Sequence, residues 1–166
     1  MESKIKTLAE IKKVIRDFQI DGRKVVFTNG CFDLLHAAHV NYLREAKDNG
    51  DILVVGLNSD RSVKSIKGDK RPLVPEGERA LMLAALKCVD FIVLFDDKDV
   101  VSLLSEIAPD VYIKGGDYTI DTINQKERKV VEDNGGKIVI VKGYDGYSTT
   151  NLINRVLDVY GKSNSK

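Results

Sequence analysis

Thr28-Asn29-Gly30-Cys31-Phe32-Asp33-Leu34-Leu35-His36-Ala37-Ala38-His39 is the stretch on which the fold turns. An apolar run, Lys24-Val25-Val26-Phe27, leads into it, and residues 24–28 read as a β-strand. A helical pattern follows, Val40-Asn41-Tyr42-Leu43-Arg44-Glu45-Ala46-Lys47. A strand, a glycine-bearing turn and a helix start make an anion site, because free N–H groups and the helix dipole both face the ligand. Gly30 stands where backbone must come close to something or take positive φ. Both histidines of the chain, His36 and His39, lie here, three residues apart. Positions i and i+3 on a helix share a face, so the two imidazoles would point the same way and could donate to phosphate oxygens. A metal pair is the other use of such a spacing. It would need Asp33 or another carboxylate, since the chain has no third histidine and no Cys-x-x-Cys.

Working outward, the 166 residues suit a single domain spanning 1–166. The hydrophobic fraction of 43% supports a packed core. Twenty-six basic and 25 acidic residues leave a formal charge of +1, which argues against a nucleic-acid-binding field. No apolar run reaches the length of a membrane span, and residues 1–6 lack the apolar core of a signal peptide. Cys31 and Cys88 are not spaced like a disulfide framework, so a reduced cytoplasmic setting is expected. Residues 161–166 are expected to be a frayed tail.

Residues 7–20 hold an N-terminal amphipathic helix, with Leu8, Ile11, Val14, Ile15 and Phe18 at helical spacing. Residues 51–58 are expected to form a second strand, near-continuously apolar over 52–57, as in a parallel sheet covered on both faces. Residues 59–78 break the pattern and read as a basic loop carrying Lys67 and Arg71, placed after a strand where it could close on phosphates. Helices are expected over 78–87, 98–107, 123–134 and 151–160, with strands over 89–95, 110–114 and 137–141. This alternation predicts an α/β fold, a Rossmann-like doubly wound parallel sheet of five strands with helices on both faces.

Three strand ends carry the remaining candidates, and in a parallel sheet they share one edge. The fourth strand runs into Lys114-Gly115-Gly116-Asp117-Tyr118, and Ser148-Thr149-Thr150 opens the last helix. Asp117 could hold ribose hydroxyls or simply serve a turn. The hydroxyl run could bind phosphate or merely cap the helix. Neither a Walker loop nor a Gly-x-Gly-x-x-Gly fingerprint is present. Cys31 reads as a small packing residue, since a thiolate there would oppose phosphate charge.

Together these motifs resemble the cytidylyltransferase-like nucleotidyltransferases, whose hallmark is His-x-Gly-His after the first strand and a Ser-Thr-Thr-type element before the last helix. The likeness covers residues 7–157 and is strongest toward the subgroup that adenylylates heptose 1-phosphate. Phe27 to Asp33, Asn58-Ser59-Asp60, Lys67-Gly68-Asp69-Lys70-Arg71-Pro72, Lys114 to Tyr118 and Ser148 to Thr150 carry it. The resemblance implies transfer of AMP from ATP to a sugar 1-phosphate, with Mg2+, release of pyrophosphate and no covalent enzyme intermediate. The product would be ADP-heptose for the lipopolysaccharide of the cell surface, and the protein would be a homodimer with no nucleic-acid or membrane partner. His36, His39 and Lys47 would be catalytic. Thr28, Asn29, Gly30, Cys31, Phe32, Lys114, Gly115, Asp117, Ser148, Thr149 and Thr150 would bind the nucleotide. Asp33, Lys67 and Arg71 would serve the acceptor side. Other acceptors stay open, among them glycerol 3-phosphate, phosphoethanolamine and flavin mononucleotide, with ATP or CTP. So does a nucleotide-binding module without turnover, because Ala38 replaces the glycine of the hallmark and cannot take positive φ cheaply.

Overall fold

A computed structural model describes residues 2–116, 118–143 and 147–161. Its sheet is built from β1 (Ile5–Lys6), β2 (Val25–Gly30), β3 (Ile52–Asn58), β4 (Phe91–Phe95), β5 (Val111–Gly115) and β6 (Lys137–Val141). All neighbours pair in parallel, in the order β1-β4-β3-β2-β5-β6. The chain steps outward from β2 through β3 to β4, then crosses back to place β5 on the other side of β2. That reversal opens a crevice beyond the carboxyl ends of β2 and β5, where ligands of open α/β sheets bind.

Every residue of β3 is buried, as the near-continuous apolar run requires of a strand covered twice. On one face, α2 (Ala37–Lys47) and α4 (Glu76–Ala84) bury Leu43, Ala46, Ala80 and Leu83 against Val26, Leu53, Val55 and Ile113. On the other, α1 (Leu8–Ile20), α5 (Val101–Ile107) and α6 (Gln125–Asp133) cover Val25, Phe27, Val54 and Tyr112 with Ile11, Ile15, Leu104 and Val131. Fully burying such side chains contributes about 1.5–3 kcal/mol each, and this is the main term holding helices to sheet. Thr7 and Glu10 cap α1 reciprocally, so its start is written locally. No helix among the described residues is long and apolar enough to cross a membrane.

The sheet has six strands where the sequence predicts five. β1 is two residues long, too short to show a period, and it exists because Ile5 and Lys6 pair with Ile92 and Val93 at the edge. Lys4 Nζ anchors it by donating to the carbonyls of Leu86 (3.1 Å) and Val89 (2.7 Å). A second correction concerns residues 59–78, expected as a loop. They contain α3 (Asp60–Lys67), capped by Ser59, whose Oγ accepts from Ser62 N at 3.1 Å. Only Ser62 and Val63 of that helix are buried, so it carries too little apolar signal to be seen. α2 opens at Ala37, ahead of its apolar pattern, while α5 opens at Val101, later than the acidic run suggests. The last helix, α7 (Thr149–Tyr160), has no buried residue. The expected frayed tail lies outside the described residues apart from Gly161.

Two glycines give opposite expectations for alanine. A Cβ on Gly136 would stand 2.4 Å from the Pro109 carbonyl, backbone that cannot rotate away. Gly136→Ala should cost about 1–3 kcal/mol in urea unfolding. Gly77 lies in α4 with open space around it. Gly77→Ala should stabilise by about 0.4–1 kcal/mol in the same measurement.

Candidate active site

The β2 turn begins with a close approach. A Cβ on Gly30 would lie 2.9 Å from the Phe32 ring, so glycine lets that ring fold back beneath the strand. Phe32 itself takes φ 45°, a left-handed conformation that a bulky residue adopts only under tertiary constraint. Its ring meets His39 edge-on, with centroids 5.2 Å apart and planes at 63°. His39 in turn stacks on His36 at 3.8 Å and 20°. His36 is the N-cap of α2 yet makes no side-chain capping bond, and Nδ1 of both rings is buried without a hydrogen bond among the described residues. The pair is therefore held by packing and left polar at its core. Burial holds the His36 imidazole below its ordinary range. Burial, then the neighbouring His36, pushes His39 down to about 4, with only the Leu34 backbone favouring protonation. Both shifts favour the neutral imidazole.

Ala38 lies in the first turn of α2 and is not among the positive-φ residues. The backbone objection to alanine at this point of the motif therefore falls away, and its methyl group simply lines the cleft.

On the β3 side, two buried charges fix the loops. Asp33, 1% exposed, accepts from Arg71 Nε and from the amides of Leu73 (2.8 Å) and Val74 (2.9 Å). It thereby ties the basic segment after α3 to the β2 turn. Arg79, which the sequence reading missed, is completely buried. Its guanidinium donates to the carbonyls of Cys31 (2.6 Å), Asn58 (2.9 Å) and Val74 (2.9 Å) and pairs with Asp60 at 2.7 Å. An isolated buried arginine gives no periodic or motif signal, so only the loops around it reveal its task.

On the β5 side, Lys114 pairs with the buried Glu127 of α6 at 2.8 Å. The Tyr112 hydroxyl lies 2.8 Å from both Glu127 Oε2 and Asn29 Oδ1, and burial followed by that carboxylate keeps the phenol protonated. Gly115 makes room for Tyr42, whose ring would be 2.5 Å from an added Cβ. The Tyr42 hydroxyl donates to the Ile113 carbonyl at 3.1 Å and bonds Thr28 Oγ1 at 2.6 Å. The turns after β5 and β6 touch, since an added Cβ on Gly143 would lie 3.2 Å from the Gly116 Cα.

These walls enclose a cleft of about 650 Å³. It gathers Asn29, Gly30, Cys31, Phe32, Asp33, His36, His39, Lys67, Arg71, Lys114, Gly115, Ser148, Thr149 and Thr150 from the sequence-derived set. It adds Tyr42, Asn58, Lys98, Tyr118, Glu127, Lys142 and Tyr147. Ser148 caps α7, its Oγ accepting from Asn151 N at 3.0 Å, while Thr149 and Thr150 face the cleft beside it. Burial raises the Cys31 thiol, so it is uncharged, as a packing role requires. Two expected residues lie elsewhere. Thr28 is wholly buried in β2, its hydroxyl spent on Tyr42 and the Ile113 carbonyl. Lys47 sits at the far end of α2, donating to the Asp51 carbonyl and paired with Asp90 at 2.5 Å, one helix length from the histidines. Asp117 lies outside the described residues.

A parallel sheet whose switch point holds a histidine pair in one cleft with a hydroxyl-lined helix start has the features of a nucleotidyltransferase-type site. The chain belongs to the cytidylyltransferase-like family, whose model matches residues 27–155. It is 50% identical over 161 residues to the bifunctional protein HldE of Geobacter metallireducens, and 48% identical over 161 residues to that of Geobacter sulfurreducens. Each match covers 97% of this chain and 32% of the relative, so the chain spans about a third of those proteins' length. Among solved structures it resembles a lipopolysaccharide core biosynthesis protein from Thermoplasma volcanium, at 31% identity and a TM-score of 0.61. That match covers 75% of this chain and all of that one. A pantoate-beta-alanine ligase from Francisella tularensis shares the fold at 13% identity and a TM-score of 0.59, over 93% and 77% of the two chains.

Two measurements probe this geometry. His39 is depressed in the folded state, so the unfolded chain binds more protons between pH 6.5 and 4 and stability is lost as the pH drops through that window. Relative to His39→Asn, the wild type should lose on the order of 2–3 kcal/mol between pH 7 and 4 in urea titrations. Asp33→Asn should release the segment after α3, seen as faster amide exchange at Leu73 and Val74 with β3 still protected.

Proposed function

We propose that the chain transfers AMP from ATP to a sugar 1-phosphate, heptose 1-phosphate, releasing pyrophosphate. The observation that carries this reading is the convergence of the histidine pair, Lys114 and the α7 start on one cleft, within a chain about half identical to HldE. The name of the Thermoplasma volcanium protein supports a product destined for lipopolysaccharide. An oxygen of the acceptor phosphate attacks the α-phosphorus in line as the bond to the pyrophosphate oxygen breaks, so the work is positioning and charge stabilisation. His36 and His39, neutral, donate hydrogen bonds to the α-phosphate and leaving oxygens, where negative charge grows. Ser148, Thr149 and Thr150 receive the β- and γ-phosphates at the N-terminus of α7. Lys67 and Lys142 add positive charge from the two rims. Arg71, already held by Asp33, orders the acceptor side.

No group of three His, Cys, Asp or Glu among the described residues could hold a metal. Mg2+ would come with the triphosphate and would supply charge to offset that of the phosphate oxygens.

Pyrophosphate release by the purified chain tests the proposal, with Mg2+, ATP or CTP, and heptose 1-phosphate, glycerol 3-phosphate or flavin mononucleotide. Release is expected with ATP and the heptose phosphate. His39→Ala should lower kcat by on the order of 10²–10³-fold, as loss of a preorganised donor does. Release only with another pair would replace the substrates. ATP binding with no release in any combination would favour the binding-module reading.

A further inference from the structure

We propose that Tyr118 and Tyr147 form an aromatic clamp that stacks on the base of the nucleotide and makes the cleft selective for a purine. The proposal rests on the reading of the cleft as an ATP site and adds which residues select the base. Both rings line the cleft and are largely exposed, 51% for Tyr118 and 61% for Tyr147. Among the described residues neither makes a ring contact or a hydrogen bond, whereas Phe18, Phe27, Phe32, Phe91 and Tyr112 all pack against another ring. An aromatic face left to water at a cleft rim is a stacking surface without its partner.

Each follows one of two strands that pair with each other, β5 and β6. Tyr118 follows Gly116 by two residues, and Tyr147 follows Gly143 by four. An added Cβ on Gly143 would lie 3.2 Å from the Gly116 Cα, and both tyrosines line the cleft that these glycines also line. Tyr147 also directly precedes Ser148, the N-cap of α7. A nucleotide whose phosphates lie on that helix start thus has its base within reach of both rings. Stacking tolerates any base in kind but grows with overlapped area, which favours the two-ring purine over a pyrimidine.

Calorimetric titration of the whole chain with MgATP, MgCTP and magnesium tripolyphosphate tests this. The wild type should bind ATP more tightly than CTP. Tyr118→Ala and Tyr147→Ala should each weaken ATP on the order of tenfold, CTP less, and tripolyphosphate not at all. The phenylalanine substitutions should restore ATP binding, because the face and not the hydroxyl acts. With no tryptophan in the chain, tyrosine emission is a second readout. ATP should quench it, tripolyphosphate should not, and the double alanine variant should lose the difference. Tyr160→Ala, about 18 Å along α7 from Ser148, should leave all three affinities unchanged. The clamp is overturned if the alanine variants bind ATP like wild type, if ATP and tripolyphosphate weaken together, or if phenylalanine fails to rescue. Wild-type protein that binds tripolyphosphate but prefers neither base overturns the clamp alone. Protein that binds none of the three overturns the nucleotidyl-transfer reading with it.

Discussion

Arg79 carries its charge into the interior with Asp60, among the described residues, as its one counter-charge, and the rest of its guanidinium is satisfied by backbone carbonyls. Those carbonyls belong to the β2 turn, to the end of β3 and to the segment that leads into α4. The first two continue strands that pair with each other, and this one side chain ties the segment before α4 to both. A buried guanidinium with a missing partner costs several kcal/mol, so each of the three has a strong reason to stay in place. The position of the Phe32 ring, and through it the edge against His39, inherits that rigidity. Packing of the two helical layers holds the sheet, but this cation holds the mouth of the cleft.

The fold class was legible because β2 to β6 announce themselves by apolar runs followed by helical spacing. What escaped lacked an apolar signal of its own. β1 exists by pairing with β4 at the edge of the sheet, and α3 buries only Ser62 and Val63. The strand order could not be read, since a parallel crossover leaves no mark on local sequence. It decides the site nonetheless, because it sets β2 beside β5.

The site was legible in its motifs and not in its supports. His36, His39, Lys114 and the hydroxyl run stand at strand ends and draw attention there. Lys47 and Thr28 were carried along by the motif around them, and tertiary structure had other uses for both. Lys47 clasps Asp90 at the base of α2, while the Thr28 hydroxyl turns inward to Tyr42. Arg79, Tyr112 and Glu127 escaped because their roles depend on neighbours distant in sequence. Ala38 shows the converse, for a departure that looks costly on paper sits in an ordinary helical turn.

The pairing of Lys114 with Glu127 has a consequence for how the cleft meets anions. Counting lysines and arginines on its walls suggests a strongly positive funnel whose attraction would collapse with added salt. Lys114 and Arg71 are already neutralised within the protein, by Glu127 and Asp33. The far field of the empty cleft is weaker than the cation count implies, in keeping with an overall charge near zero. Association should therefore depend only shallowly on ionic strength. Discrimination among phosphorylated molecules then rests on fit at short range rather than on capture from a distance.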